Sequence, residues 1–208
     1  MTHPTTQVEW DLAWPAAQAF PTVHRSQAIR VRSLDRPTRE SPNLDLRPDS
    51  LSGWSDSLER DGYAILDRIL SPVHVTELIE ATRMYASGDH DGRLDRGGEV
   101  YGGRDLLWRI AEVRRLAQSP ALTTIAETVL GPGAFAVRGL FFDKTPTANW
   151  NLPWHQDLTI ALRARRDVPG FGPWTLKGGI PHVHAPAELL ARMLTIRLHL
   201  DDCGPERA

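Results

Sequence analysis

The sequence predicts an α+β domain in which helices come first and a jelly-roll sheet follows, and three observations lead there. Apolar residues recur at helical spacing between residues 72 and 130. From Ala134 the period shortens toward two. Residues 193–200 then alternate an apolar set, Leu194, Ile196, Leu198 and Leu200, with a polar set, Thr195, Arg197 and His199. Such a sheet meets water with its polar face or, in a small barrel, lines a polar interior with it. Helices ahead of the strands buttress the sheet.

Composition bounds the rest. A chain of 208 residues, 41% hydrophobic and 24% charged, holds one globular domain with a sizeable core. A formal charge of -2 and a pI near 6.4 give no basic field, so nucleic acid is not expected as a partner. The single Cys203 makes no internal disulfide, and the N-terminus lacks a basic-then-apolar leader. No run approaches the roughly 18 apolar residues of a membrane span. The expected location is cytoplasmic, with a small molecule as partner.

In chain order, residues 1–50 carry six prolines and scattered charges, which reads as a poorly ordered tail in which Trp10 and Trp14 are the exceptions. The domain, 51–208, begins with a short helix bearing Trp54 and Leu58, a turn at Asp61-Gly62 and a buried strand 63–66. Ser71-Pro72 caps a helix with Val75, Leu78, Ile79, Thr82, Tyr85 and Ala86 on one side. Residues 87–103 read as a solvated polar loop; its acidic residues miss the calcium-loop pattern because Val100 stands where a bidentate Glu is needed. A helix over 104–117 and another opened by Ser119-Pro120 and closed by Gly131 complete the scaffold. Strands follow over 134–142 and 156–162, and residues 163–186 read as one long loop.

The candidate chemistry lies in 149–157. On a strand, side chains two apart share a face, so His155 and Asp157 present an imidazole and a carboxylate to one ion. That is two thirds of the 2-His-1-carboxylate set that holds non-haem Fe(II). The bland reading is a strand-start histidine beside a solvated Asp. His182-Val183-His184 is a further pair, but between two prolines it reads as surface histidines. In the long loop Trp174 offers an apolar wall and Lys177 a charge, as a substrate lid or as a surface excursion.

The runs Leu140-Phe141-Phe142-Asp143-Lys144, Trp154-His155-Gln156-Asp157-Leu158 and Leu198-His199-Leu200-Asp201-Asp202-Cys203-Gly204-Pro205 resemble the phytanoyl-CoA dioxygenase family of Fe(II)/2-oxoglutarate oxygenases, over roughly residues 51–205. The resemblance implies a double-stranded β-helix, a cupin-like jelly roll, that hydroxylates a small molecule using Fe(II) and the cosubstrate 2-oxoglutarate. It implies His155 and Asp157 as metal ligands, Arg104, Leu140 and Arg197 at the cosubstrate, and Arg138, with Trp174 in the lid, toward the substrate. Arg138 and Arg197 favour a substrate bearing a carboxylate or phosphate.

In the family a second iron histidine and a 2-oxoglutarate arginine come later than Pro205. The expectation is therefore an incomplete barrel with impaired turnover and self-association through open strand edges. His182, His184 or His199 could stand in as third ligand. The alternatives are a non-catalytic fragment acting as a binding or dimerisation module, and a metal-free jelly-roll binding protein.

Overall fold

A computed structural model describes residues 53–145 and 157–201 together with two strands ahead of them. The order is β1 (Thr5–Ala13), β2 (Gln27–Arg32), α1 (Trp54–Asp61), β3 (Tyr63–Asp67), α2 (Pro72–Ser87), β4 (Arg93–Arg96), β5 (Glu99–Gly103), α3 (Leu106–Arg109), α4 (Ala111–Ala117), α5 (Pro120–Leu130), β6 (Phe135–Lys144), β7 (Thr159–Ala161), β8 (Trp174–Lys177), β9 (Ile180–His184), α6 (Ala187–Leu190) and β10 (Met193–His199). The fold is α+β, as the periodicity predicts. A seven-stranded sheet runs β3-β2-β10-β1-β6-β5-β4, and a three-stranded sheet runs β7-β9-β8. Neither closes into a barrel among the described residues. Nor does any described helix have the length and apolarity to cross a membrane.

The helix ends follow from their caps. The hydroxyls of Ser71 and Ser119 accept the amides of His74 and Leu122, each with proline at the first helical position. These satisfy donors that a helix start leaves open. Gly62 closes α1 by donating its N–H to the Leu58 carbonyl at 2.9 Å. The expected helix over 104–117 is instead two pieces. Asp105 takes a left-handed conformation (φ 65) and Ile110 an extended one (φ -119, ψ 111), so Ile110 turns into the core between α3 and α4.

The alternation on β10 sorts as expected except at His199, the member of the polar set that is buried. Leu194, Ile196 and Leu198 are fully buried against Leu106, Val113 and Ile125 of the helical layer, each contributing roughly 1.5–3 kcal/mol of burial. The opposite face carries Thr195 and Arg197.

Three expectations change. The tail reading of 1–50 does not hold for two segments of it: β1 lies between β10 and β6, antiparallel to both, and β2 runs parallel between β10 and β3. Their registers bring Val8, Trp10 and Leu12 level with Leu198, Ile196 and Leu194. The rest of 1–50 lies outside the described residues. The polar loop 87–103 holds the hairpin β4-β5, turned at Gly97-Gly98 (φ 63 and 87). The long loop 163–186 holds the hairpin β8-β9, turned at Gly178-Gly179 (φ 56 and 77), two consecutive positive-φ residues of the kind that tight hairpins need.

Gly103 ends β5 where no side chain fits, since a Cβ there would lie 2.4 Å from Tyr85 Cε1 and 2.5 Å from Phe141 Cε1. Gly103→Ala is expected to destabilise the fold by about 1–3 kcal/mol, read as a lowered midpoint in thermal denaturation. An unchanged midpoint would mean that Tyr85 and Phe141 are not packed against β5 as described.

Candidate anion and metal site

Arg104 is held by its backbone. Its N–H donates to the Gly92 carbonyl at 2.8 Å and its carbonyl accepts the Tyr85 hydroxyl at 2.6 Å. Tyr85 is itself fixed between the His90 ring, 4.2 Å away, and the edge of Phe141 at 5.7 Å. Burial pushes the Tyr85 phenol pKa up, which keeps it a donor. Beside it, Arg109 bridges Asp91 at 2.6 Å and Asp105 at 3.3 Å. The backbone before α3 is thus clamped from several sides.

The β8-β9 turn docks onto this clamp. A Cβ built on Gly178 would lie 3.4 Å from the Asp91 carbonyl oxygen and 3.8 Å from Arg104 Cδ, so the turn carries Lys177 to the side chain of Arg104. The Lys177 ammonium donates to Thr159 Oγ1 at 3.3 Å. Lys177 is opposite Ile180 and Thr159 opposite His184, so this bond crosses β9 on the side where His182 stands.

His182 is only 3% exposed, not the surface residue its surroundings in the sequence suggest. Its Nδ1 lies 2.9 Å from the Ile180 carbonyl. A carbonyl only accepts, so Nδ1 carries the proton and Nε2 of the neutral ring carries the lone pair. Burial pushes the His182 pKa down against the pull of the Ile180 carbonyl, and Lys177, Arg138 and Arg104 push it further. Burial likewise lowers the Lys177 pKa, Arg138 and Arg104 add to this, and Asp157 partly offsets it. Arg104 and Arg138 thus act on both Lys177 and His182, and Asp157 acts on Lys177, although these residues come from separate parts of the chain.

The other expected residues fall as follows. His155 lies outside the described residues. Leu140 on β6 and Arg197 on β10 are both level with Glu9 of β1, so a whole strand separates them. Arg138 is level with Asp11 in the same way. Trp174 stands three residues from Lys177 on one strand and so on the opposite face of the small sheet, where Arg165 lies 5.6 Å over its ring. The pairing of an apolar Trp174 wall with Lys177 as one lid surface does not follow, because an odd spacing on a strand separates faces. His184 is level with Thr159, and His199 is buried on β10 in the other sheet. Thr159 and His182 are the site residues the sequence did not single out for this role. The Gly178-Gly179 hairpin is the signal that could have placed His182 on a strand.

Among the described residues no three His, Cys, Asp or Glu side chains draw together as a metal cage. Asp157 is the described member of the expected ligand pair, and it acts on Lys177, itself beside Arg104 and Arg138. The described part of the site suits an oxyanion better than a bare divalent ion. A cavity of about 700 Å³ adjoins the Arg104 clamp, with Tyr85, His90 and Arg109 on its walls together with Glu77, Glu80 and Glu112.

Because His182 is held neutral, its folded pKa lies below the ordinary value of 6.5. The unfolded chain then takes up the proton first, so this contribution to stability is complete above about pH 6.5 and is lost as pH falls below it toward the folded pKa. Chemical denaturation of the parent and of His182→Asn at descending pH checks this. The parent should lose more stability than the variant below pH 6.5, and parallel slopes would contradict it. No protein-family model, curated protein or solved structure matches this chain.

Proposed function

We propose that the chain is an Fe(II)/2-oxoglutarate-dependent oxygenase of the phytanoyl-CoA dioxygenase type, acting on a small organic anion. The observation that carries this reading is the grouping of Arg104, Arg138 and Asp157 about Lys177, which links the carboxylate of the His155-Gln156-Asp157 motif to these cations. A double-stranded β-helix is supported by the path of the chain, which goes from the large sheet at β6 to the small sheet at β7, β8 and β9 and back to the large sheet at β10.

His155 and Asp157 would hold the metal, which when bound would couple oxidative decarboxylation of 2-oxoglutarate by O₂, giving succinate and CO₂, to hydroxylation of a C–H bond with the second oxygen atom. This chain's residues supply position and charge. Arg104, its backbone clamped by Tyr85 and Gly92, presents a guanidinium fork to a carboxylate. Lys177 closes over the same place from the hairpin turn.

The same cations set the order of affinity. Three positive groups repel a divalent ion arriving alone and attract the dicarboxylate that would accompany it, so the two should bind cooperatively. Calorimetric titration of Mn(II) into the full chain is expected to show weak binding that tightens about tenfold or more with 2-oxoglutarate present, and the reciprocal effect by linkage. Asp157→Ala should abolish the metal isotherm, and Arg104→Ala should leave metal binding but weaken 2-oxoglutarate. Metal bound equally well by Asp157→Ala would defeat the reading. Anion binding with no metal at all would favour the metal-free binding module.

A further inference from the structure

The small sheet carries, beyond the groups just used, an acceptor that a carboxylate ligand would not need. Lys177 reaches across β9 to Thr159, and beneath that reach stands His182 with Nδ1–H committed to the Ile180 carbonyl at 2.9 Å. The surface therefore offers an ammonium, a hydroxyl and, from the buried ring, one lone pair. We propose that Lys177, Thr159 and His182 form a subsite for a phosphate group that retains one proton, either free hydrogen phosphate or the monoanion of a phosphomonoester. The ammonium and the Thr159 hydroxyl donate to its unprotonated oxygens, and its P–OH donates to Nε2 of His182. The inference deepens the oxygenase reading by naming the substrate's headgroup, and rests on that reading only for what happens after binding.

The chemistry discriminates. A carboxylate or a sulfate near neutral pH brings acceptors only, and facing an imidazole lone pair it leaves that acceptor unmatched. A phosphate bearing a proton matches all three partners. The ring stays in its acceptor form because burial and the neighbouring cations oppose its protonation. The groups around it are Lys177, Arg138 and Arg104, with Asp157 beside Lys177.

The test titrates inorganic phosphate, methyl phosphate and sulfate separately into the metal-free full chain at about pH 6.5, near the second ionisation of a phosphomonoester. Binding of a phosphate about tenfold or more tighter than sulfate is expected, since a hydrogen bond to a charged partner is worth that much. Methyl phosphate binding more tightly than inorganic phosphate would identify an ester as the source, and the reverse would identify free phosphate. Lys177→Met should weaken all three oxyanions. His182→Leu should equalise phosphate and sulfate, and in the unmutated chain the His182 Nε2 resonance should shift on addition of phosphate but not of sulfate. Sulfate bound as tightly as both phosphates, an unmoved resonance or no phosphate binding would overturn the subsite. Asp157→Ala should keep phosphate binding while losing metal, so failure of the oxygenase reading and failure of this one give different results.

Discussion

The placement of β1 between β6 and β10 is the constraint on which the large sheet depends. Both neighbours are apolar on the helical side, with Phe141, Leu194, Ile196 and Leu198 all buried there, so neither can move apart without exposing core. Each would present a row of unpaired N–H and C=O groups if the position between them were empty. β1 satisfies both rows in antiparallel register, and β2 pairs with the far side of β10 in parallel register. The large sheet ends at β3 and β4. The register places β1 between Arg138 of β6, level with position 11, and Arg197 of β10, level with position 9.

The second joint is the glycine turn of the small sheet against Arg104. The positive φ of Gly178 and Gly179 turns the hairpin against the Asp91 carbonyl and Arg104 Cδ, and that placement brings Lys177 beside a guanidinium. Like charges gathered in this way raise the energy of the empty site, which an anionic ligand relieves. Desolvation of Lys177 and His182 sharpens the effect. The helices contribute at a distance, through Tyr85 and the Asp91-Arg109-Asp105 network that fixes the backbone of Arg104.

What the sequence disclosed divides along physical lines. Ser71-Pro72, Ser119-Pro120 and Gly62 act through local hydrogen bonds, and the residues that make them are adjacent in sequence. The apolar alternation of 193–200 is also local, and it placed one face of β10 in the core. β1 and β2 were hidden because their partners are far away in sequence. Proline and charge around short alternating runs such as Val8-Glu9-Trp10-Asp11-Leu12 look like a tail until the edges of β6 and β10 are known to need pairing. The hairpins at Gly97-Gly98 and Gly178-Gly179 were legible in principle, since paired glycines between short strands are turn signals, but long polar loops mask them. Of the site, Asp157 and Arg104 stood out through family likeness. The role of His182 did not, since a histidine between prolines gains meaning only when Lys177 and Thr159 reach across it.

The claim that matters most is that Asp157 and the group of Lys177, Arg104 and His182 belong to one site. Paramagnetic broadening tests it directly. With Mn(II) and 2-oxoglutarate added to the full chain, the side-chain resonances of His182 and Lys177 should broaden strongly, and the broadening should vanish in Asp157→Ala. Sharp His182 and Lys177 signals in the presence of bound Mn(II), or broadening that persists in Asp157→Ala, would place the metal elsewhere and separate the motif from the cations.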